Sequence, residues 1–280
     1  MAAQSSDPVG VAHGSQLGRA QKLLSAWPDA AVRGVRRRGV DPAPFACEES
    51  ERIRGTHRDG AAFVRSLLEG VRRYETTKRR RYSERFAALA HGQEPVALFI
   101  TCSDSRVVPS LVSLANPGEL FVVRNVANIV PPHAAGDTGD ASVASAVWYA
   151  LEVLQIRDVV VCGHSGCGGV KALLGAPPQF RPLQQWLAPA ARAVETWREH
   201  GPLDASFPDA DQVSQISTLQ QLENLETHEH VRKRVDEGSV CLHAWWFDIP
   251  TARLLAYSKD SQRYVPIMEA FDELAETAAE

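Results

Sequence analysis

Reactive side chains follow an apolar segment at residues 102–107. The stretch "CSDSRV" comes directly after "PVALFIT" and places a thiol, a carboxylate and a guanidinium at alternate positions: Cys102, Asp104 and Arg106. A turn needs only residues such as Ser, Asp or Gly. The segment therefore indicates a chemical site in addition to a turn.

A second reactive group follows another apolar segment. The stretch "DVVVC" at 158–162 continues into "GHSGCGG", which places His164 and Cys167 three residues apart. In open parallel sheets, sites gather outside the carboxyl ends of the strands, so both groups are expected at one edge. Two thiolates and one imidazole, from Cys102, His164 and Cys167, form a Cys2His set known for catalytic zinc with a fourth position open.

The glycines around these ligands predict a tight loop. Gly163, Gly166, Gly168 and Gly169 are expected to let the chain turn around a bulky ion. A helix that starts near Gly169 would direct its positive end at the site and favour the Cys167 thiolate.

Other interpretations of the two motifs stay open at this point. Cys102 could be a buried core thiol, and Cys167 could be a nucleophile with His164 as its base. The loop could also bind phosphate, although it lacks both the G-x-G-x-x-G and the G-K-[ST] spacing. Val107 and Val108 stand where an arginine would close a Cys-x5-Arg phosphate cradle. Each motif alone is weak, whereas the pair, each at the end of an apolar segment, favours zinc.

Strands that alternate with helices position these motifs. Short apolar strands are predicted at 96–100, 120–123 and 158–162, with a helix at 141–154 between the second and the third. This order predicts an α/β fold, a mainly parallel central sheet flanked by helices. The segment 215–235, "QISTLQQLENLETHEHVRKRV", predicts one continuous helix. The later segments "SVCLHAWWFDI" and "ARLLAYS" predict a hairpin-like pair of strands.

Composition limits the class of protein. The 280 residues carry a formal net charge of -4, which argues against a dedicated nucleic-acid binder. No apolar run approaches the roughly 18 residues of a membrane helix, and the N-terminus has no continuous apolar segment typical of a secretory signal. Five scattered cysteines favour a reducing, cytoplasmic location over a disulfide framework. Residues 1–58 are expected to form a weakly ordered N-terminal extension, and 59–280 a single catalytic domain.

These residues carry a resemblance to a known family. The stretch "CSDSRVVPSLVSLANPGELFVVRNVANIVPP", followed by "VVVCGHSGCGGVKALL", resembles the beta-class carbonic anhydrases, and the resemblance runs from about Ala62 to Ile267. Gln93, Phe121 and Tyr149 match the plant-like type that bicarbonate does not regulate. Within this resemblance the "HEH" at 228–230 is a departure, since relatives often carry Pro there.

The resemblance implies an activity, a cofactor and partners. It implies reversible hydration of CO2 to bicarbonate by a zinc lyase, in a homodimer or a dimer of dimers whose N-terminal helices pack on the partner. Zn²⁺ would be held by Cys102, His164 and Cys167. Asp104 would orient the zinc-bound hydroxide, or become the fourth ligand in a closed state, and Arg106 would hold it away from the metal. The implied substrate-binding residues are Gln93, Phe121, Val126, Tyr149 and Gly168, of which Gln93, Phe121 and Tyr149 would come from the neighbouring subunit.

Two alternatives to this activity remain. The same fold and zinc could hydrolyse a CO2 analogue such as carbon disulfide, because access to the pocket decides the substrate. A non-catalytic zinc-binding module is disfavoured, because it would not need Asp104 and Arg106. His228 and His230 are two apart on a predicted helix and are expected to face different sides, so no second metal site is expected.

Overall fold

A computed structural model describes residues 60–133 and 141–270 of the chain. The chain divides into two units, with the boundary between Val71 and Arg72. The extension predicted at 1–58 lies outside the described residues. The predicted division of the chain into an extension at 1–58 and a catalytic domain at 59–280 therefore stays a prediction. No helix within the described part is long and apolar enough to cross a membrane. The cytoplasmic location also stays a prediction.

Helices precede and separate the first four strands along the sequence. In chain order they are α1 Gly60–Arg73, α2 Arg79–Leu89, α3 Pro109–Val112, α4 Ser142–Trp148, α5 Gly168–Leu174, α6 Arg181–Leu187, α7 Ala191–His200, α8 Asp209–Glu226 and α9 Glu229–Asp236. π-helical turns follow α1 at Tyr74–Lys78 and α4 at Tyr149–Val153, and 3-10 turns lie at Val126–Asn128 and Ala188–Ala190. The helix predicted at 141–154 is thus confirmed as α4 and its π-helical turn.

Six strands form one mixed sheet. They are β1 Ala97–Cys102, β2 Leu120–Asn125, β3 Asp158–His164, β4 Cys241–Asp248, β5 Arg253–Ser258 and β6 Arg263–Pro266, in the spatial order β2-β1-β3-β4-β5-β6. The first four strands in this order pair in parallel, and β4, β5 and β6 pair antiparallel. This arrangement confirms the mainly parallel sheet and the predicted strand pair β4–β5. The short strand β6 was not predicted.

The central strands are buried on both faces. Leu98 and Ile100 of β1 join the core on one face, together with Val159 and Val161 of β3. Phe99 joins a separate cluster on the other face. Strands covered on both sides read as continuous apolar runs, and this is why they could be recognised in the sequence.

The predicted helix at 215–235 is two helices, so that prediction is wrong at its centre. α8 ends at Glu226, and His228 has extended dihedral angles (φ -80°, ψ 118°) before α9 begins. Hydrogen bonds from a distant segment accompany the break. The backbone amide of His133 donates to Thr227 Oγ1 (2.7 Å), and His228 Nε2 lies 3.0 Å from the carbonyl oxygen of Pro131. Tertiary contacts thus override the helical pattern.

Candidate metal centre

The parallel topology brings the three predicted ligands together. Cys102 is the last residue of β1 and His164 the last of β3, and these neighbouring strands run in the same direction. Cys167 precedes the first residue of α5. One ligand atom from each residue lies within 4.8 Å of the other two, and all three residues are buried. The prediction that both motifs meet at one edge of the sheet is confirmed.

The imidazole of His164 is oriented for a ligand. Its Nδ1 lies 2.9 Å from the carbonyl oxygen of Ser165. A carbonyl can only accept, so Nδ1 carries the proton and Nε2 presents a lone pair. Within the part of the chain that the structure describes, this buried Nε2 has no hydrogen-bond partner. A buried nitrogen lone pair beside two sulfur atoms is a donor set that suits zinc.

The two thiols differ in their electrostatics. The hydrogen bond from Cys167, with further contributions from His164 and backbone amides, lowers the pKa of Cys102 to about 4. The neighbouring Cys102 sulfur and burial raise the pKa of Cys167 well above its usual range. The backbone amides of Gly169 and Val170 at the start of α5 act in the expected direction and favour the Cys167 thiolate, but burial and repulsion from the first negative charge outweigh them. A dication would remove this repulsion.

A loop with unusual dihedral angles supports Cys102. The backbone amide of Ala127 donates to Cys102 Sγ at 3.3 Å, and Ala127 reaches this position with φ 65°. The side chain of Asn125 closes the loop by bonding both backbone groups of Ile129. A Cβ added at Gly169 would lie 2.8 Å from Ala127 Cβ, so α5 can approach this loop only through a glycine.

Asp104 and Arg106 form a bidentate ion pair beside the ligands. Arg106 Nε donates to Asp104 Oδ1 (2.9 Å), Nη2 donates to Oδ2 (2.7 Å), and the backbone amide of Arg106 adds a bond to Oδ1 (3.0 Å). These bonds hold the pKa of Asp104 well below its usual range. The carboxylate is not part of the ligand group within the described residues. Arg106 Nη2 also reaches the carbonyl oxygen of Gly166 (3.4 Å), which connects the two motifs.

Arg124 supports the first motif from the neighbouring strand. Its guanidinium donates to the carbonyl oxygen of Cys102 (3.0 and 3.2 Å) and to that of Asp104 (2.7 Å). It thereby holds the backbone on both sides of Ser103. Arg124 was not predicted as a site residue, because its only local signal is a charge within the apolar strand "LFVVRN".

Helix α8 supports the second motif from behind. The backbone amide of Gly166 donates to Oδ1 of the buried Asp211 at 2.6 Å. Ser214 Oγ, one turn further along α8, donates to the carbonyl oxygen of His164 at 3.0 Å. Neither residue was predicted from the sequence, because no pattern near either one indicates the loop that it holds.

The glycines of this loop do not share the single role predicted for them, which was to let the chain turn around an ion. Gly166 alone among them has a positive φ (+64°). A Cβ at Gly163 would lie 2.2 Å from Thr218 Oγ1, so close packing of β3 on α8 requires that glycine. A Cβ at Gly168 would meet nothing within 4 Å, so the expected turning role of Gly168 is not supported.

The predicted substrate residues lie in two places. Val126 and Gly168 adjoin the ligand group, next to Ala127 and Cys167 in the chain. Phe121 stacks on Tyr149, with ring centroids 5.9 Å apart. Phe121 pairs with Leu98 in the sheet register, four residues before Cys102 on β1. This offset corresponds to about 13 Å along the strand. Within one subunit Phe121 and Tyr149 therefore do not join the ligands.

Gln93 lies in the connection between α2 and β1 and is exposed. The roles of all the predicted substrate residues stay predictions.

Comparisons with known proteins agree on one family. Residues 97–254 match the family model described as carbonic anhydrase. A carbonic anhydrase of Pseudomonas aeruginosa is 39% identical over 210 residues, which cover 74% of this chain and 93% of that protein. A carbonic anhydrase of Synechococcus elongatus is 34% identical over 209 residues, covering 71% and 73%.

Solved structures give the same result. The beta-carbonic anhydrase CcaA superimposes with a TM-score of 0.66 at 32% identity, covering 73% of this chain and 92% of that one. A structure from a study of two tetrameric beta-carbonic anhydrases of Sordaria macrospora superimposes with a TM-score of 0.60 at 29% identity, covering 70% and 96%.

Proposed function

The chain belongs to the beta-class carbonic anhydrases, and from this premise we propose that it hydrates CO2 reversibly to bicarbonate and a proton at a zinc ion held by Cys102, His164 and Cys167. The observation that carries the proposal is the partnerless Nε2 of His164, buried beside two cysteine sulfurs. Zinc, when bound, supplies a nucleophile from water near neutral pH and polarises oxygen as a Lewis acid.

Asp104 would orient the attacking water. An ionised carboxylate offers about four lone-pair sites. Arg106 occupies two on Oδ1 and one on Oδ2, which leaves one on Oδ2 to accept a hydrogen bond from water. The fork of Arg106 determines the direction of that remaining site. We propose that the pair aims the nucleophile and keeps the carboxylate away from the metal.

The apolar part of the CO2 pocket would require a second subunit. CO2 is small and uncharged, so it needs a dry apolar surface beside the nucleophile, and Val126 supplies one such group. Phe121 and Tyr149 lie too far along the sheet to act on the ligands of their own chain, and the side chain of Tyr149 is 40% exposed. Trp148, which precedes it, and Val153, four residues further on, are 50% and 49% exposed. Large exposed apolar groups are typical of an interface.

We therefore propose a homodimer, or a dimer of dimers, in which Gln93, Phe121 and Tyr149 complete the partner's site and the N-terminal helices pack on the partner.

The test is stopped-flow CO2 hydration on purified protein, together with elemental analysis of its metal. We expect one zinc per chain and measurable turnover. Cys167→Ala should lose both, whereas Cys241→Ala, which removes a thiol outside the ligand group, should keep both. Full zinc content in Cys167→Ala would contradict the ligand assignment. Zinc without hydration activity in the wild-type protein would contradict the activity.

A further inference from the structure

Three imidazoles that the proposed reaction does not use line one cavity, whose wall also includes Tyr149. The cavity has a volume of about 780 Å³, and His133, His228 and His230 lie on its wall. The ring centroids of His133 and His228 are 5.6 Å apart, and those of His228 and His230 are 5.9 Å apart. These three residues form a histidine cluster in which His228 is the middle member.

The sequence predicted that His228 and His230 face different sides of a helix, and this prediction is wrong. His228 is the residue before α9 and has extended dihedral angles, so helical spacing does not apply to it. The break between α8 and α9 turns its ring towards that of His230. The cluster thus exists because the helix is interrupted at Thr227 and His228.

Two members of the cluster present nitrogen atoms suited to binding a metal. His228 Nε2 lies 3.0 Å from the carbonyl oxygen of Pro131, so Nε2 carries the proton and Nδ1 has a lone pair. Metal-binding histidines usually donate their other N–H in this way. His230 Nε2 is buried and has no hydrogen-bond partner among the described residues. Burial, and next the neighbouring His228, lower the pKa of His230, so its imidazole is neutral near pH 7.

The third member is held by its backbone. The amide of His133 donates to Thr227 Oγ1 at 2.7 Å, and that hydroxyl donates to the carbonyl oxygen of Asn224. His133 is exposed, so its ring can rotate about its side-chain bonds at low cost. The backbone anchor keeps this rotation within reach of His228.

The separations are close to those of rings that share one ion. A metal–nitrogen distance of about 2.1 Å places each ring centroid about 3.2 Å from the ion, so two rings at a tetrahedral angle have centroids about 5.2 Å apart. The observed separations exceed this value by less than about 1 Å. Within the described residues, only Cys102, His164 and Cys167 already place three ligand atoms within 4.8 Å of one another. The three imidazoles do not meet this limit as they stand, so a shared ion would require a ring rotation, for which the exposed His133 is free.

We propose that the histidine cluster binds one divalent transition-metal ion, of the zinc, nickel or copper type, separate from the catalytic ion. Imidazole nitrogens suit these ions and do not suit Mg²⁺ or Ca²⁺. Two charged groups also line the cavity. Glu229 adds a carboxylate that favours a cation, and Lys233 opposes one. Glu152 acts on His230 in the same sense as Glu229. Two carboxylates against one ammonium leave one net negative charge near the imidazoles, which favours a cation.

The test is calorimetric titration with Ni²⁺ of the full chain already loaded with one equivalent of zinc. We expect one further equivalent to bind, and His230→Gln to weaken this binding by at least about tenfold. His91→Gln and His200→Gln remove exposed imidazoles outside the cluster and should leave it unchanged. His228→Gln should act as His230→Gln does. If the His228→Gln variant fails to fold, the His230→Gln variant decides the result, because His230 is partly exposed and its replacement perturbs the fold less.

A second measurement locates the ion. In a ¹⁵N spectrum of the imidazoles, substoichiometric Ni²⁺ should broaden the signals of the histidine cluster. His243, held by Asp158 at 2.9 Å, should stay sharp. The proposal is wrong if no further equivalent binds, if His230→Gln binds Ni²⁺ as tightly as the wild type, or if either control variant weakens binding equally. Retention of the first zinc equivalent shows that each variant is folded, and it does not depend on whether the protein hydrates CO2.

Discussion

Asp211 is expected to control how tightly the ligand loop holds its metal. Its Oδ1 accepts a hydrogen bond of 2.6 Å from the backbone amide of Gly166, which lies between the ligands His164 and Cys167 in the chain. Asp211→Ala removes a hydrogen bond to a carboxylate, which contributes about 1.5–3 kcal/mol. At about 1.4 kcal/mol per factor of ten, this is roughly 10- to 150-fold if the whole loss reaches the site. We therefore expect zinc affinity to fall about 10- to 100-fold, as for other residues that orient metal ligands.

The assay is a competition between the protein and a chelator, combined with the rate of zinc release. Asp209→Ala is the matched control, because it removes an exposed carboxylate from the same turn of α8. Asp211→Asn keeps an oxygen in place and should retain most of the affinity. If Asp211→Ala binds zinc as tightly as Asp209→Ala, support from α8 does not govern the loop and the reasoning fails.

Three further predictions concern the dyad, the partner subunit and the extension. Arg106→Lys keeps the charge but cannot form the fork to Asp104, so we expect turnover to fall about 10- to 100-fold with zinc still bound; an unchanged hydration rate would contradict the orienting role. Tyr149→Ala should lower turnover while zinc content stays at one per chain, and light scattering that finds a fully active monomer would refute the shared site. A truncation that begins at Gly60 should keep zinc and turnover, and an inactive but folded and dimeric truncation would show that the extension is needed.

Several features of the site were predictable because they are local. The apolar runs before Cys102 and His164 indicate strands, and parallel strands place their carboxyl ends at one edge. Cys102, Asp104 and Arg106 are two residues apart, so a single turn determines how they meet. The ligand set and the ion pair therefore followed from short segments and one rule of topology.

Other features depend on contacts between distant segments. Asp211 lies 45 residues from Gly166, and Arg124 lies 22 residues from Cys102. No pattern near either residue in the sequence specifies its target. The loop at Ala127 also could not be predicted from its own sequence. Its positive φ is supported by the hydrogen bonds between the Asn125 side chain and the backbone of Ile129, and by the close approach of Gly169.

Residue types and their spacing show which side chains are chemically competent, whereas contacts between distant segments select which of them meet. Periodicity predicted one helix through Thr227 and His228, and it placed His228 and His230 on different sides. Hydrogen bonds from 131–133 interrupt that helix and bring the rings of His228 and His230 within 5.9 Å of each other. The physical reason is that helical propensity amounts to less than about 1 kcal/mol per residue, so a few hydrogen bonds to a distant segment outweigh it.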